Sequence, residues 1–290
     1  EPELQASLTD GYTVNGHDTC FNWANFIPDG QPSSDYYCVT GDPEGARTVL
    51  VIGDSHVIPY FFELEKVFAD MGVRMLASVQ GGCPPLPDVI LWFRQEIDPH
   101  CVRRNAYALS SDAFDGVDAV VVAARWSFYV TGDFVTQPSY MDTKLNVTRD
   151  KARTQEVFGS QLRELQNRVE DAGAKLVLIQ QPPYQNHWTE DVYARISLAD
   201  LNFDEVNAAY AVERAEHDER YAIIRDELDD LARSETTVAL SFDDELCGPV
   251  QCAFGTAERS NYKDHDHLST WIGAEFADQI IAAIYPDERS

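Results

Sequence analysis

Hydrophobic and polar positions follow two repeating patterns along the chain after residue 46. Short runs rich in valine, isoleucine and leucine are typical of buried parallel strands, and apolar residues at every third or fourth position are typical of one helix face. The runs predict strands at Thr48–Gly53, Val73–Val79, Asp118–Ala124, Lys175–Gln181 and Thr237–Phe242. The periodic stretches predict helices at Val57–Asp70, Arg149–Ala172, Phe203–Ala232 (interrupted) and Leu268–Ile284. Strands that alternate with helices indicate an α/β fold with a mostly parallel sheet and helices on both faces.

Residues 1–45 lack this alternation, and we interpret them as an N-terminal extension of one domain that covers residues 46–290. The first residues, EPELQASLTDGYTVNG, are typical of a linker. No segment approaches the run of about 18 apolar residues that spans a bilayer, and no signal peptide is recognisable at the start. The sequence leaves open whether a signal or a membrane domain precedes residue 1.

The chain is strongly acidic, with 49 acidic and 22 basic residues and a formal charge of −27. Such a surface repels nucleic-acid phosphates and anionic membranes, so we expect neither as a partner. Only five of the basic residues are lysines. An acidic, lysine-poor surface suggests a saline habitat, where salt screens self-repulsion, and ordinary solubility charge is the alternative.

The six cysteines form three couples that are close in the sequence. Local closure favours the disulfides Cys20–Cys38, Cys83–Cys101 and Cys247–Cys252. No C-x-x-C pair is present to supply adjacent zinc ligands. Disulfides require an oxidising compartment, so the cysteines predict a periplasmic or extracellular location.

A short polar segment, Gly53-Asp54-Ser55-His56, separates the first predicted strand from the first predicted helix. Backbone N–H groups at a helix start have no partner within the helix and point at whatever binds there. Ser55 is therefore either a helix cap or a nucleophile, and this segment alone does not decide between the two.

The other predicted strands also end in polar segments. QGGCPPLP follows the second strand, AARWSFY the third and QQPPYQNHW the fourth, and Asp264-His265-Asp266-His267 precedes the last helix. Ligands of open parallel sheets bind beyond the carboxyl ends of the strands. If these loops converge there, a serine, a carboxylate and a histidine meet, with the acid three residues before the histidine, as a catalytic triad requires.

At these residues the sequence resembles the SGNH (GDSL-type) hydrolase superfamily, whose first block is G-D-S and whose last block is D-x-x-H. More narrowly, it resembles the SGNH domains fused to membrane acyltransferases of family 3, which O-acylate bacterial surface glycans. The narrower resemblance rests on GDSH, GGCPPLP, AARWSFY, LCGPVQC and DHDHLSTWIGA and covers roughly residues 20 to 285. It implies a flavodoxin-like three-layer sandwich around the sheet.

The resemblance also implies roles for individual residues. His267 deprotonates Ser55, and Asp264 accepts the second imidazole N–H, so that an acyl-enzyme forms on Ser55. The backbone N–H groups of Ser55 and of Gly81 or Gly82 form an oxyanion hole. The superfamily's G-x-N-D motif, which supplies an asparagine to that hole, is absent.

Arg125-Trp126 stands at the place of the missing motif, so Arg125 is the candidate for the third oxyanion donor. Asp54 and His56 are candidates for lining the substrate site or for stabilising the turn. The aromatic residues Trp126, Tyr129 and Trp188 are candidates for stacking on sugar rings, and burial in the core is the alternative.

Two alternatives concern the segment before the last helix. Asp266 rather than Asp264 is a second candidate for the acid that orients His267. The four residues from Asp264 to His267 also have ligand types that suit a metal ion, although the resemblance implies no metal and no cofactor.

The implied function is transfer of an acyl group, such as acetyl, to or from a bacterial surface glycan. The implied partners are a glycan acceptor, an acyl donor and a covalently linked membrane acyltransferase domain upstream. As an isolated domain the chain is expected to be a monomer on the periplasmic or extracellular side of the membrane. A free-standing secreted carbohydrate esterase or deacetylase and a non-catalytic glycan-binding module are the alternatives.

Overall fold

The computed structural model of the chain describes residues 20–21, 37–93, 96–131, 139–199 and 202–289, and the predicted linker EPELQASLTDGYTVNG lies outside them. The described strands are β1 (Cys38–Gly41), β2 (Arg47–Gly53), β3 (Val73–Val79), β4 (Ile90–Phe93), β5 (Glu96–Ile97), β6 (Ala119–Ala123), β7 (Tyr140–Asp142), β8 (Lys175–Ile179), β9 (Val212–Glu213), β10 (Thr237–Leu240) and β11 (Gln251–Cys252). The described α-helices are α1 (Ile58–Asp70), α2 (Pro99–Ala108), α3 (Trp126–Val130), α4 (Lys151–Asp171), α5 (Thr189–Ala199), α6 (Phe203–Tyr210), α7 (Arg214–Leu231), α8 (Asp243–Leu246) and α9 (Thr270–Ile284).

A six-stranded sheet with the order β1-β3-β2-β6-β8-β10 forms the centre of the fold. Strand β1 is antiparallel to β3, and the other strands of this sheet run parallel to their neighbours. Two small antiparallel sheets, β5-β4-β7 and β11-β9, lie outside it. The predicted α/β fold with a mostly parallel sheet is confirmed.

Residues of the central strands enter two apolar cores alternately, one on each face of the sheet, because successive strand side chains point to opposite faces. In β2, Val49 and Val51 share one core with α1 and α9. Leu50 and Ile52 share the other core with α4 and α7. The sheet is therefore the middle of three layers, as predicted.

Each predicted strand and helix is present, with its ends shifted by a few residues at most. The predicted strand Val73–Val79 matches β3 at both ends, and the interrupted helix divides into α6 and α7 with β9 between them. Elements that the hydrophobic pattern did not predict include β1, α2, α3 and α5.

The cysteines are joined in the three predicted pairs. Cys38 lies in β1, and Phe21, next to Cys20, bridges to Val79 at the end of β3. Strand β1 thus belongs to the central sheet although it lies within the predicted extension of residues 1–45, and the division at residue 45 stays a prediction. No helix in the described part of the chain is long and apolar enough to cross a membrane.

Candidate active site

The carboxyl ends of three neighbouring strands bring the predicted site loops together. Gly53 at the end of β2 pairs with Val79 of β3 on one side and with Ala123 of β6 on the other. Ser55 and Gly81 each follow the Gly53–Val79 pair by two residues, so both lie just beyond the same edge of the sheet. The loop that begins at Ala124 leaves β6 at this edge as well.

The turn that presents Ser55 requires a glycine before it. A Cβ on Gly53 would lie 2.0 Å from the carbonyl oxygen of Ala123 and 2.3 Å from Cγ2 of Val57, which no other residue tolerates. Ser55 opens a short 3₁₀ helix, Ser55–Val57, whose N-cap is Asp54, because the Asp54 carboxylate accepts a hydrogen bond from the N–H of His56 at 2.8 Å. The capping role therefore belongs to Asp54, and the Ser55 hydroxyl is available for other chemistry.

Ser55, His267 and Asp264 form a continuous hydrogen-bonded row. Nε2 of His267 lies 2.8 Å from Oγ of Ser55, and Nδ1 of His267 lies 2.8 Å from Oδ2 of Asp264. The other oxygen of Asp264 accepts hydrogen bonds from the backbone N–H groups of Asp266 and His267. This anchoring fixes the carboxylate, which in turn favours the tautomer with a proton on Nδ1 and a free Nε2 facing Ser55.

Asp266 provides a second carboxylate beside the same imidazole. Its Oδ1 lies 3.4 Å from Nδ1 of His267, which is farther than the 2.8 Å between that nitrogen and Asp264. Its Oδ2 lies 2.8 Å from Nη1 of Arg125. Nε2 of His56 lies 3.5 Å from that Oδ2, and the rings of His56 and His267 lie 4.6 Å apart. Asp264 is thus the better-placed orienting acid, and Asp266 is shared among Arg125 and the two histidines.

The charges of these groups raise the pKa of His267 and lower the pKa values of Asp264 and Asp266. Burial alone would lower the pKa of His267, but the negative charge of Asp266 and the hydrogen bond to Asp264 outweigh it, so the pKa is raised. Burial likewise opposes ionisation of Asp264 and Asp266, yet contacts with His267 hold both carboxyl pKa values below their usual range. The carboxylates therefore stabilise the imidazolium that a general base becomes.

Four candidates for substrate contact are buried, as their structural alternatives required. Asp54 and His56 are 1% and 3% exposed, and the carboxylate of Asp54 accepts hydrogen bonds from the Tyr129 hydroxyl at 2.6 Å and from the Arg125 N–H at 2.9 Å. Trp126 is fully buried and donates from Nε1 to the carbonyl of Ile179. The prediction that Trp126 and Tyr129 lie on the rim is wrong, because α3 packs both rings into the second core.

Trp188, the third aromatic candidate, does lie on the rim of the site. Its side chain is 51% exposed, and its ring lies 4.3 Å from that of His265. The neighbouring residue, Thr189, donates a hydrogen bond from its hydroxyl to the carbonyl of Asp264. Trp188 is thereby held next to the segment that carries the candidate base.

The two predicted backbone donors lie side by side. Within the described residues, no hydrogen bond is formed by the N–H of Ser55 or by that of Gly81. Gly82 has a φ of +70° and completes the turn between Gln80 and Cys83. Both glycines stay candidates for the second donor, and Gly81 is the one that lies two residues beyond the Gly53–Val79 pair, as Ser55 does.

The alternative of a metal site at these residues is disfavoured by charge. Asp264, His265 and Asp266 are close enough to share an ion, and so are His56, Asp266 and His267. The Arg125 guanidinium already contacts the Asp266 carboxylate at 2.8 Å, and it would repel a second cation at that position.

Sequence reasoning missed one buried residue at this edge of the sheet, Arg104 on α2. It is 3% exposed and donates hydrogen bonds to the carbonyl oxygens of Gly53 and Ser78. The signal in the sequence is weak, because arginines on a helix, here Arg103 and Arg104, are usually solvated.

Comparisons with known proteins identify the family of the chain. A family model described as the SGNH domain fused to AT3 domains matches residues 19–282. Among curated proteins, no sequence matches the chain significantly.

One solved structure shares the fold, and two others match with lower scores. The periplasmic domain of the lipopolysaccharide acetyltransferase of Salmonella ser. Paratyphi A has a TM-score of 0.58 at 14% identity, with 95% of this chain and 98% of that chain covered. TesA has a TM-score of 0.44 at 14% identity, covering 83% of this chain and 99% of its own. The acetyl xylan esterase AlAXEase has a TM-score of 0.42 at 13% identity, covering 81% and 98%. Because the family model spans most of its length, the chain belongs to the family of SGNH domains that are fused to AT3 domains.

Proposed function

We propose that this chain catalyses serine-dependent acyl transfer or hydrolysis, with Ser55 as the nucleophile. The observation that carries the proposal is the row of hydrogen-bonding distances from Asp264 through His267 to Ser55 at the carboxyl ends of the strands. Membership of an SGNH family supports acyl chemistry.

In the proposed reaction, Nε2 of His267 takes the hydroxyl proton of Ser55 while Oγ forms a bond to the acyl carbon. The electron pair of the carbonyl moves onto its oxygen, where the N–H groups of Ser55 and Gly81 stabilise the charge. When the intermediate collapses, the ester C–O bond breaks and the leaving oxygen takes the proton from His267. Water or a sugar hydroxyl then attacks the acyl-enzyme, with His267 again as the base, and free Ser55 is regenerated.

We further propose that the acyl group moves to or from a bacterial surface glycan outside the cytoplasm. Three observations support this: the family is one fused to AT3 domains, the structural neighbour from Salmonella is a periplasmic acetyltransferase domain, and the three disulfides require an oxidising compartment. The acyl donor would come from the linked membrane domain, and the isolated domain would act as a monomer.

The test is hydrolysis of 4-nitrophenyl acetate by the wild type, S55A and H267A. Because the nucleophile and the base act as a unit, each variant should lose at least about 10³-fold in kcat. S110A removes a serine hydroxyl whose hydrogen bond stays within its own turn, so it should keep wild-type rates. Wild-type rates in S55A would disprove the assignment of the nucleophile.

A further inference from the structure

Arg104 is a buried cation without a carboxylate in contact. Among the described residues, its guanidinium donates to backbone carbonyls, to the Ser78 hydroxyl, to the side chain of Asn105 and to Sγ of Cys83. No acid there lies within ion-pair distance, although the negative charge of Asp54 favours the cation from farther away. Burial of a charge is costly, and these contacts offset part of that cost. Burial lowers the pKa of Arg104 to about 10, and the group is therefore still charged at neutral pH.

One nitrogen of this guanidinium links two strands at the point where the site begins. Nη2 of Arg104 lies 2.9 Å from the carbonyl oxygen of Gly53 on β2 and 2.6 Å from the carbonyl oxygen of Ser78 on β3. The two backbone donors of the proposed oxyanion hole, on Ser55 and Gly81, follow these strands within three residues. The Gly53 carbonyl also accepts a hydrogen bond from the backbone N–H of Gln80. The guanidinium thus adds a charged side-chain link to the backbone pairing of the strand ends from which both donors emerge.

Helix α2, which carries Arg104, also holds the loop that follows β3 and contains Gly81. Asn105, next to Arg104, donates from its amide to the carbonyls of Pro84 at 2.7 Å and Leu86 at 3.0 Å. The disulfide Cys83–Cys101 joins that loop to the first turn of the helix. The loop after β3 is therefore fixed to α2 at several points, and Arg104 is the one that also carries a charge.

We propose that Arg104 is a positioning residue of the oxyanion hole, which aligns the two backbone donors and places a fixed positive charge behind them. The proposal rests on the proposed function. In a buried setting, a fixed charge favours the negative oxygen of the tetrahedral intermediate over the neutral ester, so it stabilises the transition state more than the bound substrate. Arg104 would compensate in this way for the missing asparagine of the G-x-N-D motif.

The experiment compares R104M and R104K with the wild type on 4-nitrophenyl acetate and measures inhibition by phenylboronic acid, which adds to the serine as a tetrahedral anion. We expect R104M to lower kcat by about 10²-fold, the effect of losing one oxyanion donor, with KM changed less than about threefold. Its affinity for the boronic acid should fall by a similar factor. R104K keeps the charge, so its kcat should be about tenfold higher than that of R104M.

Matched controls separate this role from general destabilisation. R168M removes an arginine that bonds the carbonyl of Leu109 away from the site, and its kcat should stay within about twofold of the wild type. N105A loosens the loop but keeps the charge, so it should lose less kcat than R104M. If R104M does not fold, R104K decides, because an amine cannot reproduce the guanidinium contacts and should lower kcat and boronate affinity together.

Wild-type kcat in a folded R104M or R104K, or an equal loss in N105A, would overturn the proposal. An inactive S55A together with a fully active R104M would refute the role of Arg104 alone. An active S55A would refute the proposed function itself.

Discussion

His267 is flanked by two carboxylates, and this decides how its basicity depends on pH. The groups that face it are Asp264, Asp266, His56 and, through Asp266, Arg125. A general base works only when it is unprotonated, whereas both acids favour the protonated imidazolium. The kcat/KM of the enzyme should therefore rise with pH into the alkaline range.

We predict that D266N shifts the rising limb of this pH profile to lower pH. Removing one negative charge lowers the pKa of His267, so the neutral base becomes available at a lower pH. The measurement is kcat/KM for 4-nitrophenyl acetate as a function of pH. D244N removes an acid that is 95% exposed and should leave the limb in place. A limb that stays fixed or moves to higher pH in D266N would contradict the electrostatic assignment.

We predict that W188A weakens binding of a sugar ester without affecting the triad. Loss of a stacking surface of about 1 kcal/mol should raise KM for an O-acetylated oligosaccharide from a bacterial surface glycan about fivefold. The rate on 4-nitrophenyl acetate should stay unchanged, since the ring of Trp188 contacts His265, which lies outside the hydrogen-bonded row of Ser55, His267 and Asp264. Y107A, which removes an exposed aromatic ring on α2, is the control. Equal KM values in W188A and the wild type would exclude a stacking role.

The residues at this scale differ in how far the sequence could predict them. Ser55 and His267 could be singled out because each lies in a motif at an element junction, and their catalytic roles stay predictions. Asp264 and Asp266 are both within reach of His267 along the chain, so only the three-dimensional distances separate them. Trp126 and Tyr129 were misplaced because the sequence does not show that the loop after β6 turns at once into a buried helix.

At the scale of elements, the packing of α1 against α9 positions the two parts of the candidate site relative to each other. α1 follows Ser55 and α9 follows His267, and the helices pack at Gly273, where a Cβ would lie 2.1 Å from the carbonyl oxygen of Pro59. The close approach of the two backbones at Gly273 therefore helps to set the distance between Ser55 and His267.

We predict that G273A destabilises the fold and lowers activity together. The added methyl forces the two helices apart, which should lower the free energy of unfolding by about 1–3 kcal/mol. Because this displaces His267 from Ser55, kcat should also fall. Urea unfolding and steady-state kinetics measure the two effects. G248A adds a Cβ with ordinary contacts in a loop and should change both little, and a G273A protein as stable and active as the wild type would rule out this packing role.

The elements missed by the hydrophobic pattern share a physical reason. Strand β1 has four residues, CVTG, too few to show a period, and it pairs as an antiparallel edge. Helix α2, PHCVRRNAYA, buries Arg104 and Asn105 where the pattern requires apolar residues. Long strands and helices with apolar faces were predictable, whereas short or polar elements held by specific hydrogen bonds were not.

At the scale of the whole molecule, charge repulsion opposes folding. With a formal charge of −27, the compact state brings like charges closer together than the unfolded chain does. Salt at 1 M reduces the screening length to about 3 Å and so weakens this repulsion.

We predict that the unfolding temperature rises by at least about 2 °C between 0.05 and 1 M NaCl at pH 7, which corresponds to a gain of at least about 1 kcal/mol for a chain of this size. Thermal unfolding followed by circular dichroism measures the change. At a pH close to the sequence pI of about 4.4, net repulsion is small and the salt effect should disappear. A fall in the unfolding temperature with salt at pH 7 would show that local ion pairs outweigh the overall repulsion.

The distance along the chain between Ser55 and its partner His267, 212 residues, also has a consequence in time. A chain emerging from the ribosome presents Ser55 well before His267 and α9 have been made. If His267 is the base, as proposed, a shorter nascent chain cannot activate the serine, whatever part of the sheet has already formed. The appearance of ester-cleaving activity would then report the arrival and docking of the segment with His267 and α9, and not the folding of the strands that precede it.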